Sequence, residues 1–464
     1  MSLLKYDVAI IGGGPGGYTA AVRAAQKGKS VILIEKEQIG GTCLNWGCIP
    51  TKALAAGAEM ISKIRHSQEF GIETGPVHVN FSKLMDRKQR VVEQLKAGIE
   101  ALLIKNKVDY CQGEARFIDD RTLSVSNVDQ NVRIVNARHI VIATGSGPAL
   151  ISSLGYDGQR VITSNEALMM SSIPERLIII GGGVIGCEFA SIFSILGSKV
   201  TIIEMQPSIL STMDREVSQL MSGLFRRQKI DIVTRASIAA VRKEAGKVVV
   251  QLENGKEVEG DRVLLSIGRV LNSSGLGLQE VGVEQGDRGE IIVNEQLETS
   301  VPGVFAIGDV TGRLQLAHVA ATQALIAVDK ICGITRSIDY AKVPSCIFTQ
   351  PEIGSVGLTA EAAIKKGYSI KTAKFSLLSS GKAHAMGETT GFVKIIAESE
   401  TNHLLGVHIV GAHASDLIAE GALALELGLT SERLTEVIHA HPTLSEAFLE
   451  AAEGIQGLSI HGVN

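Results

Sequence analysis

The chain has 464 residues and a formal net charge of −4, a length that allows three or four domains at about 100 to 200 residues each. Hydrophobic residues make up 45% and charged residues 20%, which argues against a disordered chain. The near-neutral charge and only 4% aromatics argue against a basic groove or a stacking platform, so no nucleic-acid partner is expected. Met1 to Asp7 leads straight into an apolar strand without the charged leader, apolar core or cleavage site of a signal peptide, and a cytoplasmic protein is expected. The most apolar stretches, 177–186 and 192–197, are broken by Glu188 and by glycines well short of the ~20 residues of a membrane span, and none is expected. Six cysteines are too sparse for a disulfide scaffold. In a reducing compartment a close pair points instead to redox or metal chemistry.

The first element is the apolar strand 6–11, followed by Gly12, Gly14 and Gly17 in G-x-G-x-x-G spacing, a helical pattern that ends at Gly28, and a second strand, 30–34, that ends at Glu35. In this arrangement Gly12 allows a tight turn, Gly14 lets the backbone approach a pyrophosphate, and Gly17 lets helix pack on strand. The phosphates sit on the helix N-terminus, and Glu35 accepts from a ribose hydroxyl. The unit recurs with Gly181, Gly183 and Gly186 after a strand and Glu204 at the end of the next. One such turn is weak, because glycine-rich turns also serve as plain connections. Two in full strand–helix–strand context predict two bound dinucleotides.

Between and after these units, residues 81–107 carry the spacing of a solvated helix packed on one face, and 248–267 read as short strands around an Asn254-Gly255 turn. Ala143-Thr144-Gly145-Ser146 marks the exit from the first domain. Residues 303–309 form a strand ending in Gly308-Asp309, where Asp309 is placed to bond a polyol such as a ribityl chain. Beyond about residue 341, strands SCIFT, FVKIIAE and LLGVHIVG followed by two helices predict a separate α+β domain. The expected fold class is α/β, with two Rossmann-like domains and a separate C-terminal α+β domain.

Cys43 and Cys48 follow directly on the first nucleotide unit, in GGTCLNWGCIPTK. A zinc site needs further Cys or His ligands nearby, and none are at hand, so no metal is expected. Two unreactive buried cysteines are the plain alternative. The functional reading is a disulfide that exchanges with substrate at one sulfur and passes electrons onward from the other. Residues five apart in a regular helix have Cα atoms about 8.6 Å apart, beyond the roughly 7 Å that a disulfide tolerates. A break is therefore predicted, at Gly47, with Pro50 in the first turn of the helix that resumes. A thiolate nucleophile needs a base, and His441, in HAHPTLSE, has Glu446 placed to hold one ring nitrogen while the other takes a proton. His408, His413 and His439 are read as structural.

The segments 40–52, 303–309 and 439–446 together resemble the pyridine nucleotide-disulfide oxidoreductases, and the resemblance covers essentially the whole chain. It implies four domains: 1–147 for FAD, 148–269 for NAD, 270–340 central, and 341–464 as the interface. The implied activity is oxidation of protein-bound dihydrolipoamide with reduction of NAD+, in 2-oxo acid dehydrogenase or glycine-cleavage complexes. The implied enzyme is a homodimer with shared active sites, His441 reaching the partner's thiol pair, served by lipoyl domains and docked on an acyltransferase core. Cys43 is then the exchanging thiol, Cys48 the one facing the flavin, and Lys52, paired with Glu188, lies near the flavin's reactive nitrogen. The resemblance further places Gly12, Gly14, Gly17, Glu35, Gly41, Thr42, Lys52, Ala115, Thr144, Gly145, Ser146, Asp309 and Ala317 on FAD. It places Gly181, Gly183, Gly186, Glu204, Ile238, Gly268 and Arg269 on NAD.

Two departures stand out. Val270-Leu271 replaces a segment that often carries proline after the Gly-Arg pair, and this is expected to loosen the loop. Trp46 is bulkier than the residue usual between the two cysteines. Because no lipoyl extension precedes residue 1, the lipoyl group is expected on another protein. Related reductases of glutathione, trypanothione or mercuric ion are disfavoured. The ending GLSIHGVN lacks an extra cysteine pair, 205–211 lacks a basic residue for a 2′-phosphate, and Glu204 repels one. A flavin-binding subunit with a purely structural role in a complex is the reading from a different class, disfavoured by the intact thiols, base and nucleotide turns.

Overall fold

The computed structural model describes residues 3–127, 129 and 131–462. The chain divides into two compact units, one built from the chain up to Ala53 with Lys83–Ala149 and Gly268–Ile338, the other from Leu54–Ser82, Leu150–Ile267 and the chain from Asp339 onward.

The first unit is organised on the strand Leu3–Ile11. It pairs in parallel with Val31–Glu35 on one side and Val132–Ile142 on the other. Asp109–Gln112 extends one edge, and Val304–Ala306 adds in parallel to Val132–Ile142. The eleven-residue strand Val132–Ile142 outruns its parallel partners, and its first half pairs antiparallel with Thr122–Ser126, which pairs with Glu114–Asp119. Side chains alternate across a strand, so Val8 and Ile10 enter one core and Ala9 and Ile11 the other. Helices Pro15–Gln26 and Ala317–Ile331 cover the first core with small residues, Ala20, Ala21 and Ala24 against Ala324 and Ala327. A Cβ at Gly16 would lie 3.3 Å from Ala320 O, so the close approach of the two helices leaves little room for a larger residue there. The helix Phe81–Lys105 ends where Lys107 takes a φ of 57°.

The second unit holds a parallel sheet in the order Asp231–Val233, Lys199–Ile203, Arg176–Ile180, Arg262–Leu265, Val161–Ile162. A meander of Ile238–Glu244, Lys247–Leu252 and Glu257–Gly260 carries the expected Asn254-Gly255 turn, with Gly255 at φ 83°. The C-terminal sheet is antiparallel, in the order Ser345–Ile347, Glu352–Gly357, Leu404–Gly411, Phe392–Glu398, Ile370–Ser376. Helices Ala414–Glu426 and Glu446–Gly454 share its core.

An ionic cluster joins parts of this second unit. Asp214, fully buried, caps the helix Arg215–Arg227 and accepts two hydrogen bonds from Lys394 Nζ, at 2.9 and 3.0 Å. Lys394, on the C-terminal sheet, also reaches Glu216 at 2.8 Å, and Lys374 pairs with Glu216. Across the same sheet Lys394 stands opposite His408, and His408 opposite Ser355. The ring is satisfied at both nitrogens, by Ser355 Oγ at 2.7 Å and Leu358 O at 3.0 Å.

The loop expected to be loosened after Gly268 is instead pinned. Arg269–Leu271 forms a strand antiparallel to Ser146–Pro148, Leu271 is buried, and Asn272 bonds Gly145 O through its backbone N–H and Thr144 O through Nδ2. Pairing to a neighbouring strand supplies the order that a proline would have supplied through a fixed φ.

Candidate active site

At the first glycine turn the conformation requires glycine. Gly12 sits at φ 105°, with Ala143 O 2.3 Å from where a Cβ would be, and a Cβ at Gly17 would fall 1.8 Å from Gly12 O. The second turn repeats this, with Gly181 at φ 102° and a Cβ at Gly186 falling 2.0 Å from Gly181 O. The middle glycines differ. A Cβ at Gly183 meets no protein atom within 4 Å, and at Gly14 the nearest is Gly41 Cα at 3.9 Å. Protein packing does not account for these two glycines, whereas a pyrophosphate pressed against the backbone does, so both turns fit a dinucleotide.

Glu35 and Glu204 are held alike. Each accepts one backbone N–H per oxygen, Gly13 and Glu37 at 2.6 and 2.7 Å for Glu35, Gly182 and Gln206 at 2.6 and 2.6 Å for Glu204. Each carboxylate oxygen keeps a second lone pair for a ribose hydroxyl. Near the second turn, Ser266 Oγ bonds Ile180 O and Gly181 O at 2.9 Å, and Ile238 begins the first strand of the meander.

Ser146, Asp309 and Arg269 meet in the first unit. Ser146 Oγ donates to Asp309, Arg269 Nε reaches Ser146 Oγ at 2.7 Å, and a second guanidinium nitrogen reaches Ser146 O at 2.6 Å. Burial pulls the Arg269 guanidinium down from its ordinary range, against the pull of Asp309 and Cys48. Arg269, expected on the nicotinamide nucleotide, thus keeps company with two residues expected on the flavin. Thr144 Oγ1 donates to Asn272 O at 2.6 Å, Gly145 takes a φ of 69°, and Ala317 opens its helix. Ala115 is buried on the strand Glu114–Asp119, after Gly113, whose N–H donates to Glu35 O at 2.9 Å.

The two cysteines lie on separate helices, Gly41–Trp46 and Cys48–Arg65, broken at Gly47 as the spacing predicts. Gly47 takes φ −143° and ψ −112°, and a Cβ there would come within 3.0 Å of Thr42 O. Gly40 and Gly41 have φ of 93° and 56°, and a Cβ at Gly41 would lie 2.7 Å from Gly14 Cα. The thiol segment is therefore packed directly on the first nucleotide turn. Asn45 Nδ2 ties it by bonds to Ile39 O and Gly41 O at 3.0 and 2.9 Å, Thr51 Oγ1 bonds Gly47 O at 2.7 Å, and Thr42 Oγ1 reaches Ser146 O at 3.4 Å. Both cysteines are thiols. A hydrogen bond to Cys48 pushes the Cys43 thiol far up, burial adds to this, and the charge of Lys52 opposes it. Sequence reasoning passed over Asn45 and Thr51, whose signal is two small polar residues flanking the bend. Among the described residues no group of three or more His, Cys, Asp or Glu side chains is arranged to hold a metal ion.

In the second unit, Glu188 is buried and its Oε1 accepts from the backbone N–H of Phe348 at 2.9 Å. His441 Nδ1 bonds Glu446 Oε1 at 2.9 Å, and Glu446 Oε2 accepts from Thr443 N–H at 2.8 Å. Burial would push the Glu446 carboxyl up, but Thr443 N–H, His441 and His439 together hold it below the usual carboxylate range. With Nδ1 donating to a carboxylate, Nε2 of His441 is left as an acceptor. The His441 side chain is 80% exposed.

Comparison with known proteins gives the class. The profile of the pyridine nucleotide-disulphide oxidoreductases matches residues 6–324, and that family's dimerisation domain matches residues 343–452. The chain belongs to the pyridine nucleotide-disulphide oxidoreductases, and it is an oxidoreductase that works with FAD and a pyridine nucleotide. Its full-length relatives include the dihydrolipoyl dehydrogenases of Bacillus subtilis, 42% identical over 98% of this chain and 99% of that one, and of Chlamydia trachomatis serovar D, 42% identical over 96% of each. Among solved structures, LpdA of Mycobacterium tuberculosis superposes with a TM-score of 0.92 at 29% identity, covering 97% of this chain and 99% of that one. The HOCl-induced flavoprotein disulfide reductase RclA of Escherichia coli, as its Cu(II) complex, superposes at 0.89 with 30% identity, covering 98% and 99%.

Proposed function

We propose that the chain acts as a dihydrolipoyl dehydrogenase, oxidising a protein-bound dihydrolipoyl group and reducing NAD+ to NADH. The observation that carries this reading is the thiol pair, split across two helices at Gly47 and packed on the first nucleotide turn. In the oxidised enzyme Cys43 and Cys48 are bridged. His441 Nε2 takes the proton of one substrate thiol, and the resulting thiolate attacks Cys43 Sγ, breaking the Cys43–Cys48 bond and leaving Cys48 as thiolate. The second substrate thiol then attacks the substrate sulfur of the mixed disulfide, and its proton passes to the departing Cys43 sulfur. The cyclic disulfide is released, and the two electrons it gave up now reside in the Cys43 thiol and Cys48 thiolate. Bound FAD supplies a two-electron carrier between this pair and the nicotinamide.

Glu446 orients the base, and Lys52, with Glu188 as its proposed partner, sets the charge beside the flavin. Gly12, Gly14, Gly17, Glu35, Gly41, Thr42, Ala115, Thr144, Gly145, Ser146, Asp309 and Ala317 hold FAD. Arg269 belongs with this set, because it is bonded to Ser146 and lies 3.8 Å from Asp309. Gly181, Gly183, Gly186, Glu204, Ile238 and Gly268 hold NAD. The exposure of His441, inside the stretch that matches the dimerisation domain, supports a homodimer in which each base serves the partner's thiols. The enzyme would work in the cytoplasm on lipoyl domains of a 2-oxo acid dehydrogenase or glycine-cleavage complex, docked on its acyltransferase core. Among the described residues no helix is long and apolar enough to cross a membrane.

Offering the purified protein dihydrolipoamide or glutathione disulfide, each with NAD or NADP forms, tests the reading. Dihydrolipoamide with NAD+ is expected to be turned over fastest, and faster glutathione disulfide reduction would sink it. Glu204→Arg replaces an acceptor for a ribose hydroxyl with a donor for a 2′-phosphate. It should move the NADP/NAD ratio of kcat/KM upward by about 10- to 100-fold, what a charged hydrogen bond of ~1.5–3 kcal/mol gives. An unchanged ratio would mean that the second turn does not bind the nicotinamide nucleotide.

A further inference from the structure

Two histidines and two carboxylates organise the loop that carries the proposed base. His441 is held by Glu446, the first residue of helix Glu446–Gly454. His439, two positions earlier, is held by Glu420 of helix Ala414–Glu426, Nε2 to Oε1 at 2.7 Å, and its Nδ1 faces Val437 O at 2.9 Å. The two rings are in opposite situations. His441 is 80% exposed with one nitrogen engaged, whereas the His439 side chain is 4% exposed with both engaged. Both of its ring nitrogens are taken up by protein atoms, Glu420 Oε1 and Val437 O, so neither is turned toward a substrate thiol. His439 therefore cannot replace His441 as base, yet it is near enough for its charge to help hold down the Glu446 carboxyl. Between the anchors the loop has few other ties. Thr443 Oγ1 bonds Ala440 O at 2.7 Å, Thr443 N–H bonds Glu446, and Ile438 stands 96% exposed.

We propose that His439, clamped by Glu420, is a positioning residue for the dithiol half of the reaction: it fixes the start of the loop so that His441, fixed at its other end by Glu446, presents Nε2 at one place. This inference rests on the dihydrolipoyl dehydrogenase reading. A general base works only within hydrogen-bond reach of the proton it takes, and a misplacement of about 1 Å costs up to about 100-fold. A side chain acting this way affects proton removal from the dithiol and leaves electron flow from NADH to the flavin untouched.

The test compares two reactions of the FAD-loaded dimer: dihydrolipoamide with NAD+, and NADH with ferricyanide, which takes electrons from reduced flavin without any dithiol. His439→Leu is expected to lower kcat of the first by about 10- to 100-fold, with the KM for NAD+ and the ferricyanide rate within about twofold of wild type. His439→Gln, which keeps an N–H for Glu420, should recover part of the loss. Glu420→Ala should match His439→Leu, and the double variant should lose no more than either single, since the two act as one unit. Dihydrolipoamide turnover within twofold of wild type in His439→Leu would overturn the proposal. So would an equal loss in the ferricyanide reaction, or additive losses in the double variant. If the wild-type protein reduces ferricyanide but does not oxidise dihydrolipoamide, the functional reading itself fails and the inference goes with it.

Discussion

His441→Gln is expected to lower dihydrolipoamide oxidation by about 10² to 10⁴, the contribution of a positioned general base, while the FAD content per chain stays that of wild type. The size of the effect follows from the geometry. Glutamine keeps an amide donor for Glu446, so the loop's second anchor survives, but no basic nitrogen remains where Nε2 of His441 is exposed to solvent. Glu446→Gln should cost less, because it weakens the orientation of the ring and leaves the ring itself. Stopped-flow reduction by dihydrolipoamide separates this step from nicotinamide reduction. If that first step stays near its wild-type rate in His441→Gln, the base is elsewhere.

The largest effect on stability is expected from Lys394→Met. This substitution leaves Asp214 buried and ionised with its main partner gone, a situation that costs about 3–5 kcal/mol, whereas replacing both members with apolar residues of similar volume is often near neutral. The urea midpoint of Lys394→Met should therefore fall clearly below that of Asp214→Leu/Lys394→Met. The reverse order would show that the cluster does not behave as a desolvated pair. The pH dependence follows from the same contacts. Burial pushes the Asp214 carboxyl up, but Lys394, the charge of His408 and the Glu216 N–H more than offset it and hold it below the ordinary carboxylate range. A depressed carboxylate stabilises the fold above its unfolded-state value of about 4 and loses that contribution as pH falls through the folded one. For Lys394, burial is offset by Glu216 and Asp214, which hold the ammonium above the ordinary lysine range. Its share is present below about pH 10.4 and is lost as pH rises through the folded value. Wild type should therefore lose stability below about pH 4 more steeply than the doubly apolar variant.

How much of this was legible in the sequence depends on how far each feature reaches along the chain. The glycine turns and their acids are local: 22 positions separate Gly13 from Glu35 and Gly182 from Glu204, and the same hydrogen bonds recur in both units. The break at Gly47 was legible because five-residue spacing and disulfide geometry are incompatible with a continuous helix. Arg269 was not. Its Gly-Arg pair stands in sequence beside the second nucleotide unit, but antiparallel pairing of Arg269–Leu271 with Ser146–Pro148 carries it to Ser146 and Asp309. The Asp214–Lys394 pair, 180 positions apart, leaves no local pattern either. Two strands of the C-terminal sheet were also passed over. Glu352–Gly357 carries Gly354 and Gly357, where a Cβ would meet Ala414 O at 2.5 Å and Leu405 O at 2.4 Å, and glycines read as breakers within a strand. Ile370–Ser376 is an edge strand with charged and hydroxyl side chains, a composition that blunts edges and hides their periodicity. His439 carries no signal of its own, since only the fold brings Glu420 to it.

The central claim is that Cys43 and Cys48 carry the electrons taken from a dithiol. Thiol labelling tests it most directly. The oxidised, FAD-loaded protein is treated without oxygen with one equivalent of dihydrolipoamide, quenched, denatured and labelled with a maleimide, and the labelled cysteines are mapped by mass spectrometry. The account predicts that Cys43 and Cys48 gain label together on reduction, while Cys111, Cys187, Cys332 and Cys346 are labelled equally before and after. Unchanged labelling at Cys43 and Cys48, or new label confined to the other four cysteines, would contradict it.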